Sequence, residues 1–215
     1  DRKTRLPLGA KTNLPIYPMT IETAPMKILT CLFLCALSLG DVSNAYAATK
    51  PTRVASLGLC ADQILLLLAD HDHIATVSRT AVDPHVSYMA AHVGDIPLNR
   101  STAEDIIPFQ PDLILSTSFA APEAVRILKM LGYRVELMPL PTTIDGIREM
   151  LLLAGNWLGE TEKAQKLIRE MDASITASQK RNAHKPERRA IIYSPNGFTI
   201  GSDTLENDVL RVAGY

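Results

Sequence analysis

The sequence predicts an α/β protein: a parallel-sheet lobe with flanking helices, a long connecting helix and the start of a second α/β lobe. Three observations lead to this prediction. Short apolar runs that suit buried strands alternate with helical patterns up to about residue 142. Two long helical patterns follow with almost no strand signal, and a strand pattern and a helix then return near the end of the chain.

The bulk composition is that of an ordinary globular protein. The 215 residues are 47% hydrophobic and 21% charged, and the net charge is -1. A basic surface for nucleic acid would need an excess of Lys and Arg, which this chain lacks. We therefore expect no nucleic-acid partner.

The first 47 residues show the pattern of a secretory signal peptide. Met26 and Lys27 precede the apolar core Ile28–Leu39, and Ala45–Ala47 offers small residues for cleavage. The apolar core is shorter than the roughly 20 residues that span a bilayer. A cleaved signal is therefore favoured over a retained transmembrane helix.

This pattern predicts an exported, periplasmic protein. Residues 1–25 are expected to be a disordered upstream leader and residues 26–47 the signal peptide. Cys31 and Cys35 leave with the signal, so Cys60 remains alone and no intramolecular disulfide can form. No cysteine stands where lipid attachment requires one. We expect a soluble monomer without direct membrane insertion after cleavage.

Residues 48–142 are predicted to form an N-terminal α/β lobe. Apolar runs predict the strands Arg53–Leu57, Ile74–Ser78, Asp112–Ser116 and Arg134–Leu140. Helical spacing predicts the helices Ala61–Ala69 and Pro122–Gly132, the second with Pro near its start and Gly just past its end. Strands and helices that alternate in this way form parallel sheets with helices on their faces.

Residues 143–187 are predicted to be a helical connector. One amphipathic helix ends at Gly159. The next, Glu160–Arg181, is roughly 33 Å long at 1.5 Å per residue, and its apolar positions recur at helical spacing: Ala164, Leu167, Ile168, Met171 and Ile175. Residues at this spacing share one face of a helix.

Residues 188–215 are predicted to begin a C-terminal α/β lobe that is incomplete in this chain. The strand Arg188–Ser194 precedes a Gly-containing loop and the helix Thr204–Gly214. A lone strand and helix cannot bury a sheet face, so we expect the natural protein to continue. The alternative is that this strand joins the edge of the first sheet.

Several motifs, in their order and spacing, resemble the periplasmic substrate-binding proteins of ABC importers for vitamin B12, haem and iron-siderophores. They are "RVASLGLCADQILLLLAD", "IATVS", "AEDIIPFQPDLILS", "LGYRVELMP" and "IIYSPNGFTIGSDTLENDVLRVAG". The resemblance covers nearly all of Pro51–Tyr215. It implies two α/β lobes joined by one long helix, with the ligand in the cleft between them.

The resemblance also implies a role for Glu104, at the start of the segment before the strand "PDLILS". In this family a Glu at that place pairs with arginines of the membrane permease. The alternative is that Glu104 only complements a helix N-terminus, which contributes roughly 0.3–1 kcal/mol.

Ligands of open α/β sheets bind beyond the carboxyl ends of the strands, so the loops there supply the candidate contacts. They are Leu59, Cys60, Arg79, Tyr88, Phe119, Asn196 and Phe198. Five of these residues have a plainer alternative. Arg79 suits a carboxylate or phosphate, or it pairs with Asp83. Tyr88 and Phe119 offer flat faces to a ligand, or they lie in the core. Cys60 is near the ligand, or it is a small buried packing residue. Asn196 offers donors, or it is part of a turn.

The main hypothesis is a receptor without catalytic activity or cofactor, which captures a corrinoid, haem or ferric siderophore and delivers it to an inner-membrane ABC permease. A zinc or manganese receptor is one alternative, with His85, His92 and Asp83 supplying part of the site. The tract Asp70–His73 is interpreted as a solvated loop. An exported enzyme of unrecognised type is the other alternative, although the motifs of common hydrolases and nucleotide-binding sites are missing from the sequence.

Overall fold

The computed structural model describes residues 50–184 and 189–215. The predicted leader and signal peptide, residues 1–25 and 26–47, lie outside the described residues, as does Arg188, the first residue of a predicted strand. Among the described helices, none combines the length and the apolar character needed to cross a bilayer.

Five parallel strands form the central sheet, in the order β3-β2-β1-β4-β5. They are β1 Val54–Ser56, β2 Ile74–Ser78, β3 Leu98–Asn99, β4 Leu113–Thr117 and β5 Val135–Met138. The first described strand, β1, is central: Val54 lies opposite both Ile74 of β2 and Leu113 of β4. The sheet with its flanking helices confirms the predicted fold class.

Six helices accompany the two sheets in the described residues. They are α1 Leu59–Leu68, α2 Ala103–Ile106, α3 Pro122–Met130, α4 Ile144–Leu158, α5 Thr161–Asn182 and α6 Leu205–Val212. The predicted long helix is α5, which has 22 residues. Its predecessor α4 begins where the Thr143 hydroxyl accepts from Gly146 N–H, and it ends at Gly159 in the left-handed region (φ 68°).

Both faces of the sheet are buried, as a parallel sheet requires. Along β4, Leu113 and Leu115 belong to the core cluster that includes α1 and α4, whereas Ile114 belongs to the cluster that includes α2 and α3. This alternation explains why β4 is a continuous apolar run in the sequence.

Two strand predictions differ from the structure. The strand β3 is missing from the prediction, because it has two residues with Leu98 exposed and Asn99 buried, the reverse of the expected pattern. The predicted strand Arg188–Ser194 is shortened to β6, Tyr193–Ser194, which pairs antiparallel with β7, Phe198–Thr199. The chain reverses there because Asn196 and Gly197 both have positive φ values (67° and 82°). The β6 strand therefore does not join the edge of the five-stranded sheet.

The close contact between α4 and α5 depends on a glycine. A Cβ atom built on Gly155 would lie 2.6 Å from Cβ of Ala164 and 3.2 Å from the carbonyl oxygen of Glu160. The two helices thus approach at a distance that only small residues allow.

Helix α6 is attached to the connector helices through two polar contacts. The buried carboxylate of Asp208 accepts a hydrogen bond from the first amide of α4, Ile144 N–H, at 2.8 Å. Past the end of α6, Asn182 Nδ2 of α5 donates to the carbonyl oxygen of Ala213 at 2.8 Å. The C-terminal segment is therefore held in the middle of α6 by Asp208 and just past its end at Ala213.

Replacing Asp208 with alanine should loosen α6. The backbone N–H of Ile144 would lose its buried acceptor, so we expect amide hydrogens of Leu205–Val212 to exchange about tenfold faster in hydrogen-exchange mass spectrometry. Asp203→Ala, in the exposed turn before α6, is the control and should change nothing. Unchanged exchange in Asp208→Ala would contradict this role.

The same contact predicts a pH dependence. The hydrogen bond from Ile144, and then the one from Arg211, lower the pKa of Asp208 from its ordinary 3.8. A carboxyl whose pKa is lowered by folding stabilises the folded state above its ordinary pKa. The attachment of α6 should therefore persist above pH 3.8 and be lost as the pH falls through the lowered pKa.

Candidate functional site

Two pockets open at the carboxyl edge of the sheet. The first, called here the polar pocket, has a volume of about 450 Å³ and lies at the ends of β1, β2 and β3. It is lined by Gly58, Leu59, Ser78, Arg79, Thr80, Asn99, Arg100, Ser101, Ala120 and Ala121. Loops from four parallel strands thus meet at one place, as the topology of an open α/β sheet predicts.

A buried carboxylate, Asp62 of α1, lies behind the wall of the polar pocket. It accepts hydrogen bonds from Ser56 Oγ (2.5 Å), Ser78 N–H (2.9 Å) and Ser78 Oγ (2.5 Å). Burial raises the pKa of Asp62, and these hydrogen bonds oppose the rise. The network fixes the end of β2, and with it the position from which Arg79 extends.

Asn99 holds the outer strand in place. Its Nδ2 donates to Ser56 O and Thr76 Oγ1, both at 3.1 Å, and its Oδ1 accepts from Ser101 N–H at 2.8 Å. Three neighbouring strands are tied together by this one amide. Neither Asn99 nor Asp62 was predicted from the sequence. The available signal for Asp62 was a single charge in the otherwise apolar helix "LCADQILLLL".

The two arginines of the polar pocket have different environments. Arg100 binds the carboxylate of Asp105 through both Nε and a terminal nitrogen, at 2.8 and 2.7 Å. These hydrogen bonds, with the one from the Arg100 backbone, lower the pKa of Asp105 to about 2. Arg79 is exposed and makes no hydrogen bond or ion pair within residues 50–184 and 189–215. The alternative pairing with Asp83 is not observed; Asp83 accepts from His85 N–H instead.

The second pocket, called here the apolar pocket, has a volume of about 380 Å³ and lies at the ends of β4 and β5. Most of its lining is hydrocarbon: Ile64 and Leu67 of α1, Met138, Pro139, Leu140 and Pro141 after β5, Ile147 and Met150 of α4, and Leu205 of α6. Its polar lining groups are Cys60, Gln63 and Thr117. An apolar surface of this kind suits the hydrocarbon part of a ligand.

Three of the five predicted first-lobe contacts line these pockets. Leu59 and Arg79 line the polar pocket, and the exposed thiol of Cys60 lines the apolar one. Tyr88 is 87% exposed and Phe119 78% exposed, so neither side chain lies in the core.

The other two predicted contacts lie elsewhere. Asn196 and Phe198 belong to the β6–β7 turn, where both are exposed, and they line neither of these two pockets. Of the predicted contacts, the structure therefore places Leu59, Cys60 and Arg79 at the pockets, whereas Tyr88, Phe119 and the two hairpin residues line neither pocket.

The described residues show no arrangement that supports the hypothesis of a zinc or manganese site. Within the described part of the chain, no three His, Cys, Asp or Glu side chains are arranged to hold a metal ion. His85, His92 and Asp83 are all exposed. In the Asp70–His73 tract, Asp70 forms an ion pair with Lys50 at 3.0 Å.

Glu104 is exposed on the short helix α2 and forms no ion pair within residues 50–184 and 189–215. Glu104 is one of two acids in the first turn of α2, and the N-cap hydrogen bond is made by another residue. The hydroxyl of Thr102 accepts from Asp105 N–H at 3.3 Å, and Asp105 itself binds Arg100. Glu104 lines a third pocket, of about 310 Å³, between α2 and α3. Its carboxylate is thus available to a partner.

Comparison with known proteins gives a family and a fold. The family model described as "Periplasmic binding protein" matches residues 54–215. No curated protein matches the chain.

Solved structures share the fold. A candidate iron-binding, periplasmic solute-binding protein from Staphylococcus epidermidis is 22% identical, with a TM-score of 0.67. A periplasmic vitamin B12 binding protein of Vibrio cholerae is 20% identical (TM-score 0.58), and a periplasmic haem binding protein from Pseudomonas aeruginosa is 21% identical (TM-score 0.56). The matches cover 77%, 77% and 76% of this chain, and 66%, 65% and 61% of those proteins. The chain thus spans slightly less than two thirds of the length of each of these three.

Proposed function

Because the chain belongs to the periplasmic binding protein family, we propose that it is the ligand-binding component of an ABC importer. It captures a corrinoid, haem or ferric siderophore and delivers it to an inner-membrane permease. The family and its solved neighbours are binding proteins, and the family implies an extracytoplasmic location. The proposal therefore includes no catalytic step and no resident cofactor.

One observation carries the proposal: the groups that suit a chelate ligand converge at the carboxyl edge of the sheet. Arg79 lines the polar pocket there without a hydrogen bond or ion pair of its side chain in the described residues, and the apolar pocket lies at the same edge. Tyr88 and Phe119 expose aromatic faces close by in the chain. Exposed aromatic rings are favourable contacts for flat or ring-containing ligands.

The proposed cleft needs a second lobe. In this proposal residues 48–142 are the N-terminal lobe, residues 143–187 the connector and residues 188–215 the beginning of the C-terminal lobe. Asn196 and Phe198 would then contact the ligand from the second lobe. Because one lobe alone encloses less of a ligand, it should bind more weakly than the whole cleft.

The test is a ligand panel applied to the natural protein as its gene encodes it. The panel contains cyanocobalamin, haem, ferric hydroxamate and catecholate siderophores, ferric citrate and zinc. Coloured ligands quench fluorescence nonspecifically, so binding must appear in both tryptophan fluorescence and thermal shift. Binding of a corrinoid or chelate supports the proposal. Binding of zinc alone, or of nothing in the panel, overturns it.

Glu104 is proposed to dock on the permease, and Glu104→Lys tests this. The reversed charge should repel permease arginines, so the concentration of loaded receptor that half-stimulates the importer's ATPase should rise about tenfold. Ligand affinity should not change, because Glu104 lines neither ligand pocket.

A matched control for Glu104→Lys is Glu162→Lys, which reverses an exposed charge on α5. Equal stimulation by wild type and Glu104→Lys would contradict the docking role.

A further inference from the structure

The polar and apolar pockets together specify a narrower ligand class. Given the proposed function, on which this step rests, we infer that the ligand is an amphiphilic anion. Its carboxylate binds Arg79 in the polar pocket, and its apolar body lies in the apolar pocket. The ligand therefore bridges the first turn of α1, which separates the two pockets.

The two pockets are adjacent along two separate segments. At the start of α1, Leu59 lines the polar pocket and the next residue, Cys60, lines the apolar pocket. In the loop after β4, Thr117 lines the apolar pocket and Ala120 the polar one. A single ligand that crosses between these segments contacts both pockets.

The charges around the polar pocket favour an anion. Its lining contains two arginines and no carboxylate. Arg100 is already neutralised by Asp105, at 2.7 Å. The hydroxyl of Ser78 and the amide of Asn99 are engaged within the protein. This leaves Arg79, whose side chain makes no hydrogen bond or ion pair in the described residues, although its charge also helps to lower the pKa of Asp105. The geometry of its guanidinium fits a carboxylate with two parallel hydrogen bonds.

The lining of the apolar pocket favours a ligand whose main part carries no polar groups. Gln63 is a polar group in its lining, and its Oε1 already accepts from Tyr88 N–H at 3.2 Å. Leu140 is 46% exposed at the pocket and offers hydrocarbon to the solvent. Phe119, which lies between Thr117 and Ala120 in the sequence, is 78% exposed. A hydrophilic chelate would leave this surface uncovered, and a neutral one would leave Arg79 unpaired.

The experiment uses the natural protein and three probes that separate the two features. Ferric protoporphyrin IX has two carboxylates and an apolar ring. Its dimethyl ester keeps the ring but has no carboxylate, and ferric citrate has carboxylates but no apolar ring. We expect Kd for the ester to exceed that for the diacid at least tenfold. Arg79→Gln should weaken the diacid about tenfold and leave the ester unchanged.

A second variant tests the apolar pocket. Leu140→Asn should weaken ferric protoporphyrin about tenfold without changing the weaker binding of ferric citrate. The matched controls are Arg169→Gln, an exposed arginine of α5 without an ion pair in the described chain, and Leu152→Asn, a 40% exposed leucine of α4 outside both pockets. Both controls should bind every probe like wild type.

Cys60 gives a readout independent of affinity. In a protein whose Cys31 and Cys35 are replaced by serine, alkylation of Cys60 by iodoacetamide should slow at least fivefold when ferric protoporphyrin is bound. Ferric citrate should give no protection, because it occupies only the polar pocket.

The outcomes separate this inference from the proposed function. Equal affinity for diacid and ester, an unaffected Arg79→Gln variant, or an unprotected Cys60 overturns the amphiphilic anion. If a neutral corrinoid or hydroxamate binds tightly and independently of Arg79, the receptor function stands and the inference fails. If no member of either panel binds, both fail.

Discussion

Replacing Asp62 with alanine should destabilise the lobe by about 3 kcal/mol. The change leaves the N–H of Ser78 and the hydroxyl of Ser56 without their acceptor, in a site where Ser56, Asp62 and Ser78 are all buried. The hydroxyl of Ser78 loses its bond to Asp62 and keeps only the contact with Thr80 Oγ1, at 2.6 Å. Each unsatisfied donor keeps its desolvation cost and loses its hydrogen bond. The measurement is the free energy of unfolding from urea denaturation at pH 7.

Asp62→Asn is the matched control. It keeps the side-chain shape, and its carbonyl oxygen can still accept from Ser78 N–H, so it should cost less than half as much as Asp62→Ala. If Asp62→Ala and Asp62→Asn both lower the free energy of unfolding by the same small amount, the buried network does not stabilise the end of β2.

The asparagine variant also tests the raised pKa of Asp62. An acid whose pKa is higher in the folded state holds its proton longer there than in the unfolded chain. Folding stability therefore decreases as the pH rises from the ordinary value of 3.8 through the raised pKa. Asp62→Asn cannot titrate, so its stability should increase relative to wild type across that window.

Gly155→Ala should destabilise the protein by about 2 kcal/mol, although alanine favours helices by about 1 kcal/mol over glycine. The added methyl group would lie 2.6 Å from Cβ of Ala164, a distance that forces α4 and α5 apart. The midpoint of thermal unfolding should fall accordingly.

Two further variants establish that the contact is the cause. In Gly155→Ala/Ala164→Gly the methyl group is moved to the other helix, and we expect stability to return to within about 1 kcal/mol of wild type. Gly201→Ala adds a methyl group where nothing lies within 4 Å and should be nearly neutral. A double variant as unstable as Gly155→Ala would contradict the packing argument.

The fold was largely predictable because most of its elements are periodic. The helices α4 and α5 and the strands β2 and β4 follow apolar spacing that local residues determine. The strand β3 was not predictable, because its two residues are held by Asn99 bonds to other strands rather than by local pattern.

The loops that meet at the site were predictable from the sequence. The residues that hold these loops in place were not. Arg79, Leu59 and Cys60 follow from the rule that ligand loops lie at the carboxyl ends of strands. Asp62 and Asn99 act largely through buried hydrogen bonds to residues far along the chain: Ser78 is 16 positions from Asp62, and Thr76 and Ser56 are 23 and 43 positions from Asn99. No local pattern carries such a bond. The proposed contacts of Arg79, Leu59 and Cys60 with a ligand stay predictions. The same holds for the roles of Tyr88, Phe119, Asn196, Phe198 and Glu104.

The central position of β1 has a consequence for the order of folding. The first described strand pairs on one side with β4, where Val54 lies opposite Leu113, and β5 follows only at Val135. Pairing across such long loops costs chain entropy and is slow. The sheet cannot assemble until most of the lobe has been made.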